Sequence, residues 1–236
     1  MNFRLLAISA ICSPLLSACG GGGGGSAPAS NPPVQQAPPV AAGPVGATVA
    51  IDAAISDLYT SPHHFDRTDT DPATGSAYNV VADFAVGPDA VVEGVNVKSA
   101  TVRRVVTKNG APFQMSSETR YFQVAPYRLI SVQSLDTPLY LLASAQKALP
   151  ATVQAGQSDA FYNANVYESA QKKTVLSTST YKWEVTPDPA DISGSLTFCI
   201  NSITTIPGVP GSSANAECYK VKQPGIVSGV GFTVPR

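Results

Sequence analysis

In the segment Tyr78-Asn79-Val80-Val81-Ala82-Asp83-Phe84-Ala85-Val86, residues 78, 80, 82, 84 and 86 share one apolar face. A period of two is the mark of a β-strand, whose successive side chains point to opposite sides. The habit recurs down the chain. Residues 91–97 and 101–107 read as strands, and Asn109-Gly110 then supplies the strongest short hairpin signal, with residues 118–124 as the partner. Further strands are expected over 127–133, 139–142, 161–167, 173–186, 196–203, 217–222 and 226–234. Such short strands, with turns about every 8–15 residues, predict a mainly β fold, an antiparallel β-sandwich or barrel-like sheets. Trp183, the one tryptophan, is expected in the core. One short N-terminal helix precedes the strands, over 49–59. Ile51, Ala54, Ile55, Leu58 and Tyr59 recur at helical spacing there, Thr48 is an acceptable cap and Ser61-Pro62 a stop.

Charge is scarce and unevenly placed. The 15 Lys and Arg nearly balance the 16 Asp and Glu, and all charged residues make up 13% of the chain. A nucleic-acid binder would normally carry a basic excess or stripe, so no nucleic acid is expected as a partner. From Leu5 to Ile51 there is no charged residue at all, and from Asp52 onward 14 bases (15 less Arg4) face 16 acids. The scarcity is therefore in part a property of the N-terminal segment.

That segment divides in three. Residues 1–18 start with the single base Arg4 and continue into the apolar run Leu5-Leu6-Ala7-Ile8-Ser9-Ala10-Ile11-Cys12. These are the n-region and h-region of a signal peptide, too short for a permanent membrane span. Its end, Leu16-Ser17-Ala18-Cys19, resembles the bacterial lipobox. The resemblance implies that cleavage precedes Cys19, that its thiol takes a diacylglycerol and that its amine is acylated, by a chain of the palmitate kind. Two or three acyl chains, at about 0.8 kcal/mol per buried methylene, hold a protein on a membrane unaided. Gly20 stands where an Asp would imply inner-membrane retention, so the resemblance implies the outer membrane, with the face, periplasmic or surface, left open. Residues 19–47 then form a lipidated Gly/Pro-rich tether, from Gly20–Gly25 to Gln36-Ala37-Pro38-Pro39-Val40, with a coil reach of about 30 Å.

The cysteines agree with export. Cys12 leaves with the signal peptide and Cys19 is lipidated, so Cys199 and Cys218 remain as an even pair in an oxidising compartment. Both lie in strand-like runs flanking Ile206-Pro207-Gly208-Val209-Pro210-Gly211-Ser212-Ser213-Ala214-Asn215, which is loop chemistry. The simplest account is a disulfide closing a long-looped hairpin. Two Cys with no His nearby cannot complete a zinc site, and Cys-x-x-Cys is absent.

Residues 48–236 form the β-rich domain, with a candidate split into two subdomains near 148–158. From Asp52 to Asp89 there are seven Asp and one base, Arg67; from Lys98 to Arg128 there are six bases and one acid, Glu118. Pairing of these two regions across adjacent strands would cancel the imbalance. Both histidines fall in His63-His64-Phe65-Asp66-Arg67-Thr68-Asp69-Thr70-Asp71-Pro72. Alternate Asp side chains suit calcium, but the EF-hand spacing fails at Ala73 and Gly75; zinc would want His-x-His or distant His partners, and adjacent histidines on a strand point apart. A polar loop ending in a turn at 71–75 is the reading preferred here, with no metal and no cofactor assigned. No Gly-x-Ser-x-Gly, His-Glu-x-x-His or phosphate loop is present in the sequence, and no catalytic residue is assigned.

The layout as a whole is similar to that of the uncharacterised exported β-rich lipoproteins of Gram-negative bacteria. The features that carry the resemblance are the lipobox at 16–19, the tether, the helix at 49–59, and Cys199 with Cys218-Tyr219. It implies a lipid-anchored cell-envelope β module with a binding or structural role, its partner an envelope protein or glycan. An envelope hydrolase acting on carbohydrate or peptide, and a calcium-stabilised adhesion module, are the alternatives.

Overall fold

The structure, a computed structural model, describes residues 47–70, 74–124, 126–188 and 194–232. The N-terminal part holds β1 (Thr48–Val49), α1 (Ile51–Thr60), β2 (His63–Thr70), β3 (Ala77–Val86) and β4 (Ala90–Val92). Then come β5 (Val95–Lys108), β6 (Ala111–Gln123), β7 (Arg128–Ser134), β8 (Tyr140–Ser144) and β9 (Val153–Gln154). The chain continues through β10 (Ser158–Tyr167), β11 (Val175–Pro187), β12 (Leu196–Thr205), β13 (Ser213–Lys222) and β14 (Ile226–Phe232). The fold is mainly β, as the alternation predicts.

Twelve strands make one antiparallel sheet in the order β14-β13-β12-β11-β10-β8-β7-β6-β5-β3-β2, with β4 pairing β5 beside that path. The sheet curls until β14 approaches β2, a nearly closed barrel. β8 pairs with β10, so the sheet continues past residues 145–157, while β9 in that segment pairs with β1.

Alternation sorts the barrel wall. On β11, Ser177, Ser179, Trp183 and Val185 are buried while Thr178, Thr180, Lys182, Glu184 and Thr186 are exposed. The outer face of β11 is thus polar, the inverse of a strand in a lipid-embedded barrel, which is apolar outside and polar inside. Trp183 is buried and stacks on Phe198, as expected of a core tryptophan. Among the described residues no helix is long and apolar enough to cross a membrane.

Helix α1 packs against β3, β5 and β14, and its Ile51, Ala54, Ile55, Leu58 and Tyr59 are buried. It starts two residues later than expected, and Thr48 does not cap it. Ala50 occupies the N-cap without a side-chain bond, because Thr48 and Val49 spend their backbone on Gln154 and Val153 and the Ala50 N–H donates to Pro224 O. Ser61 ends the helix, its N–H donating to Asp57 O, and Pro62 follows.

Three other expectations need correction. Residues 91–97 and 101–107 are not two strands divided at 98–100: the break falls at Glu93-Gly94, with φ of 53° and 75°, between β4 and β5, and β5 then runs unbroken over 14 residues through Lys98-Ser99-Ala100. Its hairpin turn at Asn109-Gly110 has φ of 51° and 80°, the left-handed pair a type I′ turn requires. The partner strand starts at Ala111, not Glu118, since a bulge opposite Val106 and Thr107 accommodates Pro112. The third correction is the segment from His63, which is no loop over 63–70. It pairs residue for residue with β3, from His63 opposite Phe84 to Thr70 opposite Ala77. Residues 71–73 lie outside the described set.

Candidate functional site

The barrel interior holds charges that no local pattern in the chain announces as a group. On β5, Arg104 shares parity with Ala100, Val102 and Val106, so it points inward with them. On β6, Glu118 and Arg120 share parity with the buried Phe122. On β13, Glu217 shares it with buried Tyr219 and Val221. Curling of the sheet brings these three strands together across the lumen, although β13 neighbours neither β5 nor β6.

There the side chains form a closed quartet. Arg104 Nη1 donates to Glu118 Oε1 at 3.3 Å and its Nη2 to Glu217. Arg120 Nε donates to Glu118 Oε1 at 2.7 Å and its Nη2 to Glu217 Oε2 at 3.0 Å. Tyr219 Oη donates to Glu217, and the Tyr59 and Tyr219 hydroxyls lie 3.0 Å apart. Arg120 also donates to the Tyr59 hydroxyl and sits over its ring, 5.3 Å from the centroid. The Tyr59 ring in turn lies among Phe84, Phe122 and Tyr127. The helix is thereby tied to the quartet.

Two guanidiniums and two carboxylates cancel. The arginine side chains are 8% and 12% exposed and both glutamates 21%, so desolvation is substantial and each charge depends on its partners. Burial works to raise the Glu217 pKa, but Arg104 and Arg120, with hydrogen bonds from Tyr219 and Arg120, bring it down to about 2. Glu118 is likewise lowered: burial opposes ionisation and the Arg120 and Arg104 charges outweigh it. Burial raises the Tyr59 and Tyr219 pKa values, so both hydroxyls stay protonated. Chemically the quartet is a tie. Its carboxylates are held ionised, far from the raised pKa a general acid needs.

Parity could have exposed part of it. In Val102-Arg103-Arg104-Val105 one of two adjacent arginines must face inward on a strand. The pairing with Glu217, 113 positions away, required the strand order.

Cys199 and Cys218 are directly opposed on β12 and β13 and form a disulfide. Their neighbours in the ladder, Phe198 opposite Tyr219 and Ile200 opposite Glu217, point inward, so the bridge lies on the outer face of the wall. Cys19, the lipidation residue, lies outside the described residues.

The histidines separate as expected of neighbours on a strand. His63 stacks on Phe65, with Nε2 3.4 Å from Asp57 Oδ2, while His64 Nδ1 is 2.6 Å from Asp83 Oδ1. Arg67 takes Asp69, and Asn79 donates to Asp66. Among the described residues no group of three or more His, Cys, Asp or Glu side chains is placed to hold a metal. Of the pairing expected between the acidic 52–89 and basic 98–128 regions across adjacent strands, the described residues show one ion pair, Lys98 with Asp89 at 2.7 Å, and Asp89 lies between β3 and β4; the buried arginines pair with glutamates instead. A hollow of about 510 Å³ over residues 148–159 is lined by Trp183 and by Asp159, whose carboxylate is paired with Lys147.

Compared with known proteins, the chain matches no family model, no curated protein and no solved structure.

Proposed function

We propose that this chain is a lipid-anchored module of the Gram-negative cell envelope. It is held at the outer membrane through acylated Cys19 and acts as a binding or structural unit for another envelope component, protein or glycan. The observation that carries the reading is the Cys199–Cys218 disulfide in a chain that opens with a signal-like segment and a lipobox. Such bridges persist in oxidising compartments and are rare in the cytosol. The polar outer face of β11 supports a domain that works in water beside the membrane. A binding or structural role is favoured over catalysis because the four charges of the quartet are spent on one another, with both of its carboxylates held ionised.

The reading is tested on the full chain in cells. Wild-type protein partitions with outer membranes and carries acyl chains, and Cys19→Ser leaves it soluble in the periplasm or unprocessed. Crosslinking of the tethered protein in intact cells then identifies what the barrel touches. A Cys19→Ser protein that still fractionates with membranes refutes the anchor.

A further inference from the structure

Among the described residues, every neighbouring pair of strands around the barrel is joined by a ladder except one. Among the described residues β2 and β14, the two ends of the sheet order, share none, although their Cα atoms come within 8 Å. Paired strands lie about 4.8 Å apart, and a strand inserted between two others needs about twice that. The gap is too narrow for a further strand, yet backbone hydrogen bonds do not bridge it.

Strand β2 also has the make-up of an edge that resists pairing. From Asp66 to Thr70 it is exposed on both faces, and the Arg67 and Asp69 side chains are 46% and 48% exposed; charged side chains along an edge are one way edge strands avoid a partner. Arg67 donates to Asp69 of its own strand at 2.8 Å. Opposite it on β14 stands Gly231, where a Cβ would come 3.5 Å from Arg67 Nη1. What joins the two sides is side-chain chemistry in the lumen. Glu217 on β13 reaches Arg104 on β5 and Arg120 on β6, and Tyr219 reaches Tyr59 on the helix that packs on both β3 and β14.

We propose that the β2–β14 seam is a lateral opening of the barrel and that the quartet, with the Tyr59–Tyr219 bond, is its latch. Release separates β2 from β14 while every ladder stays intact. It exposes the aromatic lining near Phe65 and Phe84 and the free backbone edges of both strands. Local opening of this kind runs at a free energy below that of global unfolding.

Hydrogen exchange read by mass spectrometry on the folded, disulfide-intact full chain tests this. Peptides covering 63–70 and 226–232 are expected to exchange about tenfold or more faster than those covering β7, β8 and β10. Glu217→Gln should speed the seam peptides about tenfold further and leave the others unchanged, and Tyr59→Phe should act in the same direction. Plain fraying of an edge would leave the seam rates insensitive to either substitution, which overturns the latch. Equal protection of all strands in the wild type, or uniform acceleration in the variants, overturns the seam. Should Glu217→Gln not fold, the wild-type profile and Tyr59→Phe decide the matter alone.

Discussion

Two cross-links meet on β13, and they hold the barrel in different ways. The disulfide joins Cys218 to Cys199 on the adjacent β12, strands that a nine-residue-pair ladder already holds together. The quartet starts one residue away, at Glu217, on the opposite face, and reaches strands that β13 does not pair with. A bond between neighbours already in register adds little to the shape of the folded barrel. In the chain-entropy account it acts chiefly on the unfolded chain, by closing a loop. The quartet acts in the folded state alone. It also carries the risk proper to buried charge, since any member left without its partners is worse off than in water.

The contrast is broken most directly by removing one charge. Glu217→Ala strands Arg104 and Arg120 in the lumen with one carboxylate between them, and should cost about 3–5 kcal/mol in urea unfolding. Acid should reproduce part of this loss. Because Glu217 is held at about 2 against an ordinary 4.5, its contribution is complete above about pH 4.5 and disappears as the pH falls toward 2. The shift corresponds to about 3 kcal/mol. A Glu217→Ala protein should show a flatter stability profile in that window. An unchanged slope would mean that the wild-type carboxylate is not held by the arginines.

Removing the covalent link should cost less and do so differently. Cys199 and Cys218 are 19 positions apart, so Cys199→Ser with Cys218→Ser should lower stability by about 3 kcal/mol. The pH profile between 4.5 and 2 should keep its wild-type shape. If the disulfide acts mainly on the unfolded chain, its loss and that of Glu217 should add within about 0.5 kcal/mol. Strong coupling between them, one residue apart on the same strand, would show that the bridge also positions Glu217.

How much of this was legible beforehand follows the same division between local and long-range. Alternation in 78–86, the Asn109-Gly110 turn and the two cysteines flanking a loop are local signals, and each marks an element found in the barrel. β2 carries no such signal, because alternation fades where a strand is the edge of a sheet: His63–Thr70 is polar at most positions on both faces. Thr48 resembles a cap in sequence because its true partner, Gln154, is remote along the chain. The quartet was hidden for the same reason. Arg104 and Glu118 read as members of a basic region and its lone acid, and only the curl of the sheet delivers Glu217 to them.

The smallest expected effect tests whether the helix belongs to the quartet or only lies beside it. Tyr59→Phe keeps the ring among Phe84, Phe122 and Tyr127 and beneath Arg120, and removes only the hydroxyl shared with Tyr219 and Arg120. With burial holding that hydroxyl protonated, no charge changes, and the cost should be about 1 kcal/mol, the net worth of an ordinary hydrogen bond. The informative quantity is the double-mutant cycle with Glu217→Gln. Groups in one hydrogen-bonded network couple by about 0.5–3 kcal/mol, so a coupling within that range places α1 in the latch. A coupling near zero would mean that the helix is held by its apolar face alone, leaving the quartet as a tie between strands only.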